Sequence, residues 1–214
     1  IKKVEEIESV PVQCIKVDSP SNLFLAGKAL IPTHNSVAQL MGALQFVDIP
    51  GYSAILFRKT YADLSLPGAL IDMSKQWLMP FVETKEVKWS EKEKQYTFPS
   101  GASLNFGYLE SDNDCYRYQG AEFQFIGMDE VTHISPNNYR YLFSRLRKPK
   151  SLQVPLRFRA TANPGGQFGE YYYQRFFVEG PDKGRIFIGA GLDETAEEIW
   201  EELGDPNFFC GFIK

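Results

Sequence analysis

The stretch FQFIGMDE, residues 123–130, constrains the fold more than any other. A mostly apolar run this short, ended by charge, reads as a strand buried within a sheet, and it sets Asp129 and Glu130 at the C-terminal end of that strand. Open α/β sheets bind ligands at that edge. Two adjacent acids there suit metal-assisted phosphate chemistry, the first holding Mg²⁺, usually through water, and the second polarising an attacking water. Taken alone, the same pattern also describes a solvated strand end.

The rest of the chain supplies the alternation that such a strand needs. From Ser36 onward the pattern predicts a helix at about 36–47, a strand at 52–60, a helix near 67–79 and an antiparallel-looking pair at 87–109. After the strand at 123–130 come a helix at 136–146, a strand at 156–164, a helix near 169–177 and a strand at 185–191. Strands alternating with helices indicate an α/β domain with a largely parallel sheet. Residues 1–35 differ, being short β-rich runs punctuated by Ser19-Pro20, Ala26-Gly27 and Ile31-Pro32, too short to bury a core alone. The end reads as an acidic helix and an apolar tail. A hydrophobic content of 43% over 214 residues is ordinary for a globular chain, and a net charge of −4 argues against a nucleic-acid binder that works by overall basicity. No leader or long apolar run is evident, so neither secretion nor membrane insertion is expected. Cys14, Cys115 and Cys210 lack any CxxC spacing, which suits reduced thiols in a cytosolic setting better than disulfides or zinc.

Two further motifs carry chemistry. The strand RFRA runs into Thr161-Ala162-Asn163-Pro164, placing a hydroxyl and an amide where they can sense a γ-phosphate or a lytic water. Asn163-Pro164-Gly165-Gly166 is also a plain turn sequence. Upstream, ALIPTHNSVAQL sets His34, Asn35 and Ser36 directly before a helix, with Ser36 where an N-cap belongs. No GxxxxGK[ST] loop occurs in the chain; PTHN stands where its Gly-Lys should be, although Ser36 occupies the position of its final Ser or Thr.

These stretches carry two resemblances. VQCIKVDSPSNLFLAG and ALIPTHN followed by Ser resemble the last two splicing blocks of an intein. Residues 36 to about 190 resemble the ATPase domain of a tailed-phage terminase large subunit, through FRKT at 57–60, YRYQGAEFQFIGMDEVT at 116–132, FSRLRKP at 143–149 and RFRATANPGG at 157–166. The fold implied is an α/β P-loop NTPase domain of the RecA-like (ASCE) kind, residues 36–214, lacking its first strand and most of the Walker A loop. A short β-rich C-terminal segment of an intein (Hint) fold, residues 1–35, precedes it. DE at 129–130 is then the Walker B element.

For splicing, the resemblance implies that Asn35 cyclises onto its own carbonyl, His34 assists by proton donation, and Ser36 is the nucleophile that accepts the upstream extein as an ester. For ATP hydrolysis it implies Glu130 as the residue that polarises water, Ser36 and Asp129 as Mg²⁺ ligands, Thr161 and Asn163 as nucleotide contacts, and Arg117 as a candidate arginine finger. Arg145 and Arg147 are weaker candidates for that role or for DNA contact. Cys14 stands where inteins commonly carry an acid, and a buried thiol explains it equally well. His133 reads as a structural histidine, and the run Tyr171-Tyr172-Tyr173 as a helix face packed on the sheet. The expected cofactors are ATP and Mg²⁺. The expected partners are an N-terminal intein half with its extein, double-stranded viral DNA, the terminase small subunit, the portal protein and further copies of the chain in a ring. The setting implied is the cytoplasm of an infected bacterium. The chain is expected to be inactive as an ATPase until spliced to its upstream part. Two other readings stay open: a DNA helicase or similar P-loop ATPase interrupted by the same element, and a non-catalytic binding module.

Overall fold

The computed structural model describes the backbone of residues 24–26, 31–33 and 35–178 apart from Asn163 and Pro164, with side chains described from 36 to 176. The strand expected at 185–191, the acidic helix and tail, Cys14, Cys210, His34, Asn163 and the Asn35 side chain lie outside the described residues. In the N-terminal segment, β1 (Phe24–Ala26) and β2 (Ile31–Thr33) pair antiparallel, Leu25 opposite Pro32.

The main sheet has six strands: β3 (Ser53–Arg58), β4 (Lys88–Ser90), β5 (Gln95–Thr97), β6 (Ser103–Tyr108), β7 (Phe125–Met128) and β8 (Arg157–Ala160), in the order β4-β5-β6-β3-β7-β8. The four strands β6-β3-β7-β8 run parallel, and β4 and β5 add an antiparallel flank. The region expected to form one antiparallel pair therefore holds three strands. Gly101 has φ +86° in the Phe98–Ala102 turn, and this left-handed step separates β5 from β6, whose other edge is then paired with β3.

Helices cover both faces. Along β3, Ala54 and Leu56 face one core with Leu40 and Ala43 of α1 (Asn35–Leu44) and Leu70, Ile71 and Leu78 of α3 (Leu70–Glu83). Ile55 and Phe57 face the other, with Tyr139 and Leu142 of α4 (Pro136–Phe143) and Tyr172 of α5 (Gly169–Tyr173). This is the alternation a strand buried on both sides must show. Each fully buried Leu or Phe contributes about 1.5–3 kcal/mol of transfer free energy. β7 is buried at all four positions, as its composition predicts. Among the described residues no helix is long and apolar enough to cross a membrane.

Several boundaries differ from the sequence expectation for local reasons. α1 begins at Asn35, so Ser36 lies inside the first turn rather than capping it. α4 stops at Phe143 because the following residues bridge back to the entry of β7: the Phe123 amide donates to Arg145 O at 2.9 Å and the Arg147 amide to Phe123 O at 3.1 Å. A short helix not anticipated, α2 (Tyr61–Ser65), is nucleated by a capping box in which Thr60 and Asp63 satisfy each other's backbone amides. Tyr172 is buried with its hydroxyl donating to Ile134 O, in keeping with a packed helix face, whereas His133 is exposed.

Two glycines make room where α1 packs on the sheet. A Cβ on Gly127 of β7 would collide with Gln39 Oε1 and Leu56 Cδ2, and one on Gly42 of α1 with Arg159 Nη1. The space is taken by side chains of the facing element, Gln39 of α1 over Gly127 and Arg159 of β8 over Gly42.

The aromatic core gives the fold an alkaline limit. Burial pushes the hydroxyls of Tyr52, Tyr96 and Tyr172 above the ordinary tyrosine range, and it pushes Tyr118, packed edge-on to Phe57, up to about 12. In the unfolded chain tyrosine titrates near ~10, so the folded state holds these protons longer. The stability present below that pH is lost as pH climbs through the folded values. Urea midpoints are expected to fall between about pH 10 and pH 12, in step with the rise of tyrosinate absorbance. A midpoint that stays flat up to pH 12 would contradict this.

Candidate functional site

The register of the parallel strands fixes the site before any side chain is considered. Phe57 of β3 lies opposite Met128 of β7, and Met128 opposite Ala160 of β8. The next residue on each strand therefore falls in one row at the C-terminal edge: Arg58, Asp129, Thr161. α1 begins at the same edge and brings Ser36 to that row.

Asp129 is the centre of the row, 1% exposed. Ser36 Oγ lies 3.0 Å from both of its oxygens, Thr161 Oγ1 donates to Oδ1 at 2.7 Å, and Arg58 Nε donates to Oδ2 at 2.8 Å. Burying a carboxylate is costly unless donors satisfy it, and these three, one of them cationic, do so. Gln39, three residues beyond Ser36 on α1, donates from Nε2 to Met128 O and to Thr161 Oγ1, each at 2.8 Å. Thr161 thus accepts from Gln39 and donates to Asp129, which fixes the direction of its hydroxyl. Gln39 Oε1 is buried with no hydrogen-bond partner among the described residues, a consequence of its position over Gly127.

Glu130 leaves the strand through a left-handed backbone, φ 55° and ψ 49°, a conformation that costs a residue with a Cβ about 1–3 kcal/mol. The segment is held there on both sides. The Val131 amide donates to Thr161 O at 2.8 Å and the His133 amide to Glu130 O at 3.0 Å. The bend turns Glu130 off the line of β7 into a half-buried position, while Asp129 stays in the row.

Of the residues singled out from sequence, the structure brings together Ser36, Asp129 and Thr161, with Glu130 adjoining. Arg117 is elsewhere, in the turn Asp114–Tyr118, bonded to Asp114 Oδ1 at 2.7 Å and lying over the Tyr108 ring. Burial raises the pKa of Asp114, yet the amides of Ser111 and Glu110 and the nearby Arg117 charge prevail and hold its carboxyl below the ordinary range. Arg145 lies over Tyr141, and Arg147 pairs with Glu122 at 3.1 Å. Sequence reasoning assigned no role to Arg58 or Gln39. Both left a signal: Arg58 ends an apolar strand just as Asp129 does, and Gln39 interrupts an otherwise apolar face of α1.

Residues 36–200 match the family model described as terminase large subunit, T4likevirus-type, N-terminal. Among solved structures, the large terminase of the thermophilic bacteriophage D6E is 16% identical with a TM-score of 0.48, over 65% of this chain and 32% of that one. The same protein in complex with ADP is 14% identical with a TM-score of 0.44, over 67% of this chain and 35% of that one. The large terminase ATPase domain of Thermus phage P74-26 is 12% identical with a TM-score of 0.41, over 83% of this chain and 70% of that domain. Among curated proteins, the replicative DNA helicases DnaB of Mycobacterium leprae (strain TN) and Mycobacterium intracellulare are each 48% identical over 40 residues. The matched stretch is 19% of this chain and 7% of the length of those helicases.

The hydroxyl of Thr161 serves a buried carboxylate, and a hydrogen bond to a charged group contributes about 1.5–3 kcal/mol. Thr161→Val, which keeps the shape and removes the hydroxyl, is expected to lower unfolding free energy by roughly that amount in urea titrations, with Thr161→Ser retaining most of it. Equal losses in the two variants would show that the methyl group, not the hydrogen bond, matters there.

Proposed function

Because the chain belongs to the T4likevirus-type terminase large subunit family, as its N-terminal part, we propose that the Asp129 row is the metal and phosphate end of an ATPase site that drives viral DNA packaging. The observation that carries this reading is the Ser36 hydroxyl, at the start of α1, held 3.0 Å from both oxygens of the carboxylate that ends β7. Among the described residues no group of three or more His, Cys, Asp or Glu could hold a metal by itself. A hydroxyl beside one carboxylate is instead an all-oxygen donor set suited to Mg²⁺, which keeps several waters and shares its shell with substrate phosphates. Ser36 and Asp129 would hold it, and when bound the ion would offset charge on the β and γ phosphates. Glu130, turned off the strand line, orients the attacking water. Thr161, with Asn163, reports the state of the γ-phosphate through its bond to Asp129. Arg117 acts toward a neighbouring copy in a ring, where it stabilises transition-state charge.

The phosphate loop and its strand come from upstream. β8 pairs on one side only among the described residues, and this supports a place for that strand. Residues 1–35 are the C-terminal segment of an intein, and the paired β1 and β2 fit its β-rich character. With the upstream extein carried as an ester on Ser36 Oγ, Asn35 Nδ2 attacks the Asn35 carbonyl carbon and closes a succinimide. The peptide bond to Ser36 breaks, and its nitrogen takes a proton, with His34 assisting. The extein then moves from Oγ to that nitrogen. Family membership over 36–200 favours a terminase host over a helicase. The complete motor works on double-stranded DNA with a small subunit and portal, in the cytoplasm of the infected host.

Two experiments test this. With an N-terminal intein half supplied, mass spectrometry is expected to show release of residues 1–35 and ligation at Ser36, and Asn35→Ala is expected to abolish both; normal splicing by that variant would remove the intein reading. In the spliced motor, Glu130→Gln should bind ATP yet turn it over at least ~10²-fold more slowly, the usual scale for losing a positioned proton-transfer group. Asp129→Asn should first raise the Mg²⁺ requirement. Unchanged single-turnover rates in Glu130→Gln would refute the assignment of that carboxylate.

A further inference from the structure

We infer that Arg58 is the resident counter-ion of Asp129, and that its guanidinium and a divalent cation exclude one another at that carboxylate. Oδ1 accepts from Thr161 and Ser36, and Oδ2 from Ser36 and Arg58. With Asp129 buried on its remaining sides, a metal reaches the carboxylate only where one of these donors gives way. A hydroxyl is both donor and acceptor, so Ser36 can turn and stay when a cation arrives, and Thr161, held in direction by Gln39, keeps its bond to Oδ1. A guanidinium has donors only and a fixed positive charge, so Arg58 must leave.

The geometry also gives Arg58 a second hold. Its Nη1 donates to Asp63 O at 3.1 Å, in the first turn of α2, whose capping box uses the Asp63 side chain and Thr60. The side chain is 19% exposed against 1% for Asp129, so it covers the carboxylate while retaining a path outward. Lys59, its neighbour, is occupied with Gln167 at 3.0 Å and does not replace it. One guanidinium thus ties Asp129 to the first turn of α2.

The inference rests on the proposed metal role of Asp129 but is tested without nucleotide. The chain is melted in EDTA and in about 10 mM MgCl₂, and Mn²⁺ alone is titrated by EPR. Wild type is expected to melt at the same temperature in both buffers. Arg58→Ala should melt lower in EDTA, rise by roughly 3 °C or more with Mg²⁺, and bind Mn²⁺ at least ~10-fold more tightly than wild type. Adding Asp129→Asn should erase both gains, and Arg58→Lys, which keeps the charge, should remain insensitive to metal. An Arg58→Ala chain that folds only with metal present also supports the inference. It is overturned if wild type binds Mn²⁺ as tightly as Arg58→Ala, or if Arg58→Ala and Arg58→Gln lose the same stability with and without metal, which would leave Arg58 a purely structural residue. Slow turnover in Glu130→Gln can hold when this fails, and fail when this holds, so the two outcomes are separable.

Discussion

A carboxylate withdrawn almost wholly from water needs donors from several directions, and the need of Asp129 for them ties the molecule together at one point. Ser36 comes from α1, Arg58 from β3 and Thr161 from β8, so three elements far apart in sequence converge on two oxygen atoms. Gln39 adds a fourth tie by bonding both Thr161 and the last carbonyl of β7. Removing one partner from such a network leaves a buried charge partly unsatisfied, a more serious loss than that of a surface ion pair.

The parallel sheet makes that convergence possible. Parallel neighbours in register place equivalent residues side by side, so a hydroxyl, a carboxylate and a guanidinium appear in one row simply because Asp129 and Thr161 follow the last residues of β7 and β8 and Arg58 is the last of β3. The two cores then hold the strands from both faces, and the left-handed turn at Glu130 separates two adjacent acids into different surroundings. One sequence pair, DE, thereby gives one buried and one half-buried carboxylate.

Much of this was legible in the sequence where local pattern and tertiary role coincide. The apolar run at 125–128 is buried throughout, and the polar groups after it and after β8 stand at the predicted edge. For Ser36 the sequence offers two roles, a helix cap and a partner of Asp129 at a metal; the structure sets its hydroxyl on Asp129 across the sheet edge and not in a capping position. Arg58 and Gln39 were missed, since their meaning lies in what they face. The Thr60–Asp63 capping box was readable as a T-x-x-D pattern and passed unread. Arg117, a candidate arginine finger by resemblance, is bonded to Asp114 and lies over the Tyr108 ring, partners that its sequence position does not announce.

The glycine contact between α1 and β7 has a mechanical consequence. Side chains between a helix and a sheet act as padding, because each can change rotamer and absorb a small displacement. At Gly42 and Gly127 that padding has no room to move, because Gln39, Phe125 and Arg159 already fill the space that a Cβ would need. The helix is seated with little slack, so a small push on its Ser36 end cannot be taken up locally and is passed to the strands beneath as a tilt of the whole rod.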